Sequence, residues 1–270
     1  MERVFASKSG KTVNLESYIR ERLKERKVLL MTHLIAGYPS LEENWRMLEI
    51  MGEVGVDLVE LQMPFSEPVA DGPTFARANQ SALEKGVSLE QYFDLMQRST
   101  NQFTFPHLMM GYYNTAFRLG HVAYCDALSQ GGSVGYILPD LPVEEGDELF
   151  ELSRERELHP IQLMTPTNTD QRMAEIGQRA AGFVYVVARR GVTGSRTEID
   201  PGLFAFVERC RQATDVPLAL GFGLSSGADL KHLQGTVEIG IVGSQLLRVW
   251  EEEGETAYAD LMRDLGDGRY

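Results

Sequence analysis

The sequence is poor in several features that would place it in common classes of protein. Among its 270 residues there are only two cysteines, Cys125 and Cys210, far apart in the chain, which predicts free thiols in a reducing compartment rather than a disulfide framework. No apolar run approaches the ~18 residues that a membrane-spanning helix needs, and residues 1–4 lack the apolar core of a secretory signal. We therefore expect a cytoplasmic protein with no membrane partner.

Positive charge is also scarce. Lysine and arginine total 26 against 39 aspartates and glutamates, which gives a formal net charge of −13 at pH 7. Nucleic-acid binding depends on basic side chains that neutralise backbone phosphates, so we expect no nucleic-acid partner. A small anionic substrate stays compatible with this charge, because backbone amides at helix N-termini can hold a phosphate.

Two further deficits bear on the class of enzyme. After residue 27 the only lysines are Lys85 and Lys231, both in segments predicted to be helix or loop, which argues against an aldolase with a lysine Schiff base. The five histidines are scattered, and we expect no bound metal. The sequence also has no GxGxxG turn and no P-loop.

What the sequence does contain is a regular alternation of short apolar runs and longer amphipathic stretches. The runs predict eight strands, at residues 28–34, 58–62, 107–110, 135–138, 160–163, 183–187, 217–220 and 238–242. Strands that alternate with helices favour a closed, parallel (β/α)8 TIM barrel over a doubly wound open sheet. We expect one such domain over residues 1–270.

The amphipathic stretches predict helices, which include residues 41–54, 123–130, 143–156, 170–179 and 202–214. An additional helix at residues 15–26 precedes the first strand, and we expect it to cover the bottom of the barrel. Residues 63–106, between the second and third strands, form a long insertion that predicts an active-site loop and more than one helix.

The second strand carries an unusual carboxylate, Glu60, in an otherwise apolar run. A buried charge costs several kcal/mol unless it is paired, hydrated or protonated. Glu60 can therefore be a strand-end residue in an ion pair, or a general acid/base whose pKa is raised by burial. The two-residue period of a strand places Gln62 on the same side, facing the barrel mouth.

A second carboxylate, Asp71, follows in the sequence Ala70-Asp71-Gly72-Pro73. This sequence favours a turn, and aspartate is a common helix cap, so a purely structural role is open. If Asp71 meets Glu60 at the barrel mouth, the two carboxylates can hold different protonation states and serve different roles.

Three glycine-bearing segments follow the last three predicted strands, at residues 190–195, at residues 221–226 and at Gly243-Ser244. Each alone is an ordinary turn. Together they occupy the loops in which barrels of this kind bind phosphate, and a short helix is expected to begin near Gly243-Ser244.

Several of these segments, in this order, resemble the alpha subunit of tryptophan synthase. The resemblance rests on residues 60–73, 111–114, 140–145, 190–194, 221–226 and 243–244. It extends from about residue 36 to the last predicted strand and so covers nearly the whole chain.

The resemblance implies a lyase that splits indole-3-glycerol phosphate into indole and glyceraldehyde 3-phosphate, without a metal or organic cofactor. It implies that Glu60 is the general acid/base and that Asp71 orients the indole. It also implies substrate contacts at Tyr112, Tyr185, Thr193 and Phe222, and phosphate contacts at Gly194, Gly223, Gly243 and Ser244.

The resemblance further implies a partner, the tryptophan synthase beta subunit, in an αββα complex formed through the loops that carry Glu67 and Pro142. Three residues depart from the family's usual pattern: Gln62 replaces a glycine, Arg190 a small or uncharged residue, and Glu67 an aspartate. Gln62 is expected either to hydrogen-bond Glu60 or to crowd the indole.

Two other functions are compatible with the sequence. Another phosphate-binding barrel enzyme would share the late glycine loops, but it has no reason to pair Glu60 with Asp71. A weakly catalytic paralogue that binds and activates a beta-type partner would account for the departures at Gln62 and Arg190, but not for two retained carboxylates.

Overall fold

The predicted barrel is confirmed. A computed structural model describes residues 14–187, 201–221 and 223–270, and its strands form one closed parallel sheet in sequence order. The strands are β1 (Leu29–Ile35), β2 (Leu58–Gln62), β3 (His107–Met110), β4 (Gly135–Ile137), β5 (His159–Met164), β6 (Val184–Val187), β7 (Leu218–Gly221) and β8 (Ile239–Val242). Pairing of β1 with β8 closes the ring, so the sheet has no exposed edge.

Helices surround the barrel and occupy the long insertion after β2. They are α1 (Leu15–Arg22), α2 (Leu41–Val54), α3 (Pro73–Glu84), α4 (Leu89–Gln102), α5 (Tyr113–Leu119), α6 (His121–Gln130), α7 (Asp147–Glu155), α8 (Asp170–Arg179), α9 (Pro201–Ala213), α10 (Gly227–His232) and α11 (Ser244–Asp267). Of the helices described, none is both long enough and apolar enough to cross a membrane.

The helix predicted at residues 143–156 is wrong in part. A 3₁₀ turn at Val143–Glu145 is followed by α7, and Gly146 separates the two. The Gly146 backbone lies against the Phe150 ring, where a Cβ atom would come within 2.3 Å of Cζ. The chain therefore turns at a tightly packed glycine, a contact that helical periodicity alone cannot reveal.

Local sequence signals explain where several helices begin and end. Ser88 and Gln91 form a reciprocal capping box at the start of α4. Ser40 caps α2, which ends at Gly55 in the left-handed conformation, with φ of 68°. Both helices contribute buried side chains to the cluster outside the barrel, and the end of α2 at Gly55 leads into the start of β2 at the bottom of the barrel.

The helix predicted to cover the bottom of the barrel does so. Leu15 and Ile19 of α1 are fully buried and belong to the same apolar cluster as Leu29 and Met31. These two β1 residues alternate with Leu30, which packs in the outer cluster with the surrounding helices. Even-numbered and odd-numbered β1 side chains thus face opposite layers, and the odd ones, His33 among them, point into the barrel.

A network of charged side chains also lies at the bottom of the barrel. The carboxylate of Asp57 is completely buried and accepts a hydrogen bond from the Leu30 amide at 3.0 Å. Three guanidinium groups approach it, from Arg22 at 3.1 Å, Arg26 at 3.5 Å and Arg269 at 3.2 Å. Arg269 also donates to the backbone carbonyls of Val54 and Gly55 at the end of α2, so the network ties the segment after α11 to the first two strands.

Candidate active site

The polar side chains inside the barrel gather at the carboxyl ends of β1 and β2. Glu60 and Gln62 share the inward side of β2 with Leu58, as the strand period predicts. The register pairs Glu60 with His33 of β1, so these two side chains stand next to each other. Active sites of (β/α)8 barrels lie at this end of the strands.

Glu60 is almost wholly removed from water, with 2 % of its surface exposed. Its Oε2 atom has no hydrogen-bond partner among the described residues, and none of the lysines and arginines in that part of the chain pairs with it. Burial, followed by the charge of Asp71, raises the pKa of Glu60 from 4.5 to about 8. The ion-pair alternative is thus unsupported, and Glu60 is a carboxylic acid at neutral pH.

His33 lies beside Glu60. Its Nδ1 atom lies 3.7 Å from Glu60 Oε1, and its Nε2 atom lies 2.8 Å from Gln62 Oε1. Burial lowers the pKa of His33 to about 4, an effect that the Gln62 hydrogen bond only partly opposes. The contact between His33 and Glu60 is therefore one between two neutral groups.

Asp71 lies in the loop between β2 and α3, and its carboxylate meets β2 at the barrel mouth. Its Oδ2 atom accepts hydrogen bonds from Gln62 Nε2 at 2.7 Å, Asn79 Nδ2 at 3.2 Å and the Tyr112 hydroxyl at 3.2 Å. Its Oδ1 atom has no such bond from the described residues. The residue that caps α3 is Gly72, without a side-chain bond, so Asp71 does not serve as the helix cap.

The two carboxylates have different proton affinities. Burial raises the pKa of Asp71 to about 6, while its hydrogen bonds with Gln62, Tyr112 and Asn79 act in the opposite direction. Glu60, which receives no such bonds from the described residues, has a pKa of about 8. Near neutral pH the arrangement therefore holds one ionised carboxylate, at Asp71, and one protonated carboxyl, at Glu60.

Both predicted tyrosines lie in the same region. The Tyr112 hydroxyl accepts from the Ala70 amide at 3.1 Å and donates to Asp71, and the Tyr112 ring stacks on Phe65 at 4.9 Å. Tyr185 of β6 packs its ring on the backbone of Gly221. Burial, followed by the charges of Glu60 and Asp71, raises the pKa of Tyr185 far above its ordinary value, so its hydroxyl stays protonated.

Two of the predicted phosphate contacts are at a helix N-terminus beside this site. Ser244 begins α11, and Gly243 is its N-cap residue. No side chain of the described residues caps this helix start. A Cβ atom on Gly243 would come within 2.8 Å of Phe75 and 3.1 Å of His33, which places the helix start next to the carboxylate pair. The expected helix begins at Ser244, and its helical geometry is interrupted at Gly254, where φ is 84° and ψ is −174°, before a second helical stretch that ends at Asp267. Gly223 is exposed, with φ of 45°.

Three predicted site residues, Thr193, Gly194 and Phe222, lie outside the described residues. Two residues that the sequence interpretation did not single out, His33 and Asn79, contact the carboxylates or their partners. The sequence did contain a signal for the position of His33. His33 follows Leu29 and Met31 at intervals of two residues, and the strand period predicts that all three side chains point inward.

Comparisons with known proteins agree with this geometry. A sequence profile described as "Tryptophan synthase alpha chain" matches residues 19–265. A relative of that name from Desulforapulum autotrophicum is 43% identical over 89% of this chain and 95% of its own length. Another from Syntrophotalea carbinolica is 41% identical over 93% of this chain and 99% of its own.

Solved structures show the same relationship. A chain in a tryptophan synthase structure from Mycobacterium tuberculosis superposes with a TM-score of 0.87 at 30% identity, over 96% of this chain and 99% of that one. A chain in a tryptophan synthase complex from Pyrococcus furiosus gives 0.80 at 27% identity, over 90% and 98%. The chain belongs to the tryptophan synthase alpha chain family.

Proposed function

We propose that Glu60 and Asp71 carry the reaction of this enzyme, with Glu60 as general acid/base and Asp71 as the carboxylate that orients the indole. As a member of its family the chain is a carbon–carbon lyase of tryptophan biosynthesis, which splits indole-3-glycerol phosphate into indole and glyceraldehyde 3-phosphate. The observation that carries the proposal is a pair of buried carboxyl groups at the barrel mouth, in which Asp71 accepts three hydrogen bonds while Glu60 Oε2 has no partner among the described residues.

In the first step Glu60 delivers its proton to C3 of the indole ring. The pair of electrons that forms the new C–H bond comes from the ring, so positive charge develops on the ring nitrogen. An ionised Asp71 stabilises that charge through a hydrogen bond with the ring N–H. Oδ1 of Asp71 suits this bond, because the three hydrogen bonds from the described residues all converge on Oδ2.

In the second step the Glu60 carboxylate takes the proton of the glycerol hydroxyl next to the scissile bond. The O–H electron pair forms the aldehyde C=O bond, and the C–C electron pair returns to the ring and neutralises its nitrogen. Glu60 ends protonated as it began, so one carboxyl with a pKa near the working pH serves both steps.

The phosphate is held at the opposite end of the substrate by backbone amides. The N-terminus of α11, at Gly243 and Ser244, has no side-chain cap among the described residues and presents its amide N–H groups and the positive end of the helix dipole. Gly223 and, outside the described residues, Gly194 complete this proposed phosphate site. The arrangement binds a dianion without a lysine or arginine, which agrees with the acidic composition of the chain.

A direct test is release of indole from indole-3-glycerol phosphate by the purified chain. We expect turnover by the chain alone and faster turnover with a beta subunit. Absence of indole release under both conditions, in a folded protein, would contradict the proposed function and favour the weakly catalytic paralogue.

Replacement of Asp71 by asparagine should lower kcat/KM about 10²-fold, because the charge opposite the ring nitrogen is lost. Tyr112→Phe, which removes only one of the three donors to Oδ2, should have a smaller effect. Steady-state kinetics of the two variants would check this order. Equal rates for Asp71→Asn and the unmodified chain would mean that Asp71 serves only the turn before α3.

The partner of this enzyme is the tryptophan synthase beta subunit, and we place the contact on the catalytic face, where it gives indole a protected route. Four exposed apolar side chains support this placement: Val69, Phe117, Leu119 and Val122. Val69 belongs to the loop that carries Asp71, and the others lie on α5 and α6. The hydrogen bond from Ala70 to Tyr112 joins the two segments. Exposed apolar surface of this kind is typical of interaction sites.

A charge in this surface should weaken the complex. We expect Phe117→Glu to raise the Kd for the beta subunit at least about tenfold, because the side chain is 67% exposed in the free chain and a buried charge would be unpaired. Phe204→Glu is the matched control, since Phe204 is 45% exposed on α9, away from this surface. Equal co-elution of both variants with the beta subunit in size-exclusion chromatography would contradict the placement.

The two cysteines support the proposed cytoplasmic location. Cys125 and Cys210 are both buried and free, as expected for a protein that works in a reducing compartment.

A further inference from the structure

We propose that His33 and Gln62 are positioning residues that link the two carboxyl groups, with Gln62 fixing the tautomer of His33 so that its unprotonated Nδ1 faces Glu60. This inference rests on the proposed role of Glu60 and goes beyond it, because neither residue needs to touch the substrate. The structure supports it through two hydrogen bonds of Gln62, one with Asp71 and one with His33, and through the 3.7 Å approach of His33 to Glu60.

The direction of each hydrogen bond follows from chemistry. An ionised Asp71 only accepts, so the atom of Gln62 that lies 2.7 Å from it must be the donating Nε2. The second Nε2 contact, with Asn79 Oδ1 at 3.3 Å, agrees with this orientation. Gln62 Oε1 is then the atom that faces His33 at 2.8 Å, and it must accept. His33 therefore carries its proton on Nε2.

The consequence appears on the other side of the imidazole ring. Because His33 is neutral, a proton on Nε2 leaves Nδ1 as a bare acceptor. Nδ1 lies 3.7 Å from Glu60 Oε1, so a rotation of the Glu60 carboxyl that shortened this distance would let its O–H donate to Nδ1. An acceptor at this point favours the protonated form of Glu60, whereas a donor would favour the carboxylate.

The link also couples the two carboxyl groups. When Asp71 is ionised it polarises the Gln62 amide, which makes Gln62 Oε1 a stronger hydrogen-bond acceptor. The stronger bond to Oε1 in turn polarises the His33 ring, so that His33 Nδ1 also becomes a stronger acceptor. Ionisation of Asp71 thereby helps to hold the proton on Glu60, in the same direction as the repulsion between their charges. The other described titratable groups that act on Glu60 are Tyr92 of α4 and Tyr185, both neutral because burial raises their pKa values.

The decisive variant is Gln62→Met, which fills similar space but has neither amide donor nor acceptor. His33 can then place its proton on Nδ1 and donate it to Glu60. We expect the pKa of Glu60, followed by ¹³C NMR of its carboxyl, to fall by about half to one unit. The alkaline limb of the kcat profile should move down by the same amount. Gln162→Met is the control, because Gln162 is a buried glutamine of β5 whose side chain, among the described residues, bonds only to the Pro160 carbonyl.

The tautomer itself is measurable by ¹⁵N NMR of the histidine side chains, with the His33 signals assigned by their loss in His33→Phe. We expect a protonated Nε2 and a bare Nδ1 in the unmodified chain, and a change in this pattern in Gln62→Met but not in Gln162→Met. A proton on Nδ1 in the unmodified chain, or an unchanged tautomer and Glu60 titration in Gln62→Met, would overturn the proposal. Both NMR measurements need no turnover, so they are independent of whether Glu60→Gln abolishes activity.

Discussion

Glu60→Gln should lower kcat for indole release by at least about 10²-fold, the usual contribution of a general acid/base. Glutamine keeps the size and polarity of the side chain but has no proton to give to C3 and cannot take one from the hydroxyl. Substrate binding should change little, because the proposed binding contacts lie at Asp71 and at the start of α11. Single-turnover measurement of indole release would isolate the chemical step.

The stability of this variant provides an internal check on the state of Glu60. Since burial raises the pKa of Glu60 from 4.5 to about 8, its stabilising contribution is full below pH 4.5 and is lost as the pH rises towards 8. Glutamine does not ionise. As the pH rises from 4.5 to 8, the free energy of unfolding of Glu60→Gln should therefore increase relative to that of the unmodified chain.

For the kinetic prediction, a folded Glu60→Gln variant that keeps near-normal kcat would refute the mechanism.

Asp57→Asn should reduce the free energy of unfolding by about 3–5 kcal/mol, the scale of removing one partner from a buried ion pair. The substitution keeps the hydrogen bond from the Leu30 amide but leaves Arg269, whose side chain is 4% exposed, without an anion among the described residues. In that part of the chain Arg26, 10% exposed, keeps only the exposed Glu25 carboxylate, at 3.6 Å. Urea denaturation followed by circular dichroism would measure the change.

The matched control is Asp94→Asn, which breaks an ion pair with Arg98 on the surface of α4. Both of those side chains are more than half exposed, at 59% and 57%, so solvent screens the pair and the urea midpoint should stay close to that of the unmodified chain. If Asp57→Asn shifted the midpoint no more than Asp94→Asn, the network would have no special role in stability.

The fold could be predicted from the sequence because its signals are local. Each strand is an apolar run bounded by turn residues, and each predicted strand overlaps an observed one. The position of Glu60 was equally accessible, since the strand period alone places Glu60 and Gln62 on one side. Asp71 was a candidate partner from its place in the loop after the second strand, but only the resemblance assigned it to the site, because a loop residue has no period from which its direction can be inferred.

The partners of Gln62 were beyond what the sequence could predict. The sequence left open a hydrogen bond with Glu60, whereas the amide bonds to His33, Asp71 and Asn79 instead. These contacts depend on the register between β1 and β2 and on the path of the loop before α3. Register between parallel strands comes from the closure of the whole barrel, which no local pattern encodes.

The contact between Asp57 and Arg269 spans 212 residues of sequence, and the pairing of β1 with β8 spans a similar distance. At typical rates of translation, a ribosome needs roughly 10 to 40 s to make the intervening chain. During that time the first strand has an unpaired edge and the Asp57 carboxylate lacks its last guanidinium. The unpaired β1 edge is therefore exposed for longer than an edge in a protein built from neighbouring contacts, and a chaperone that shields it would act before the enzyme can form its site.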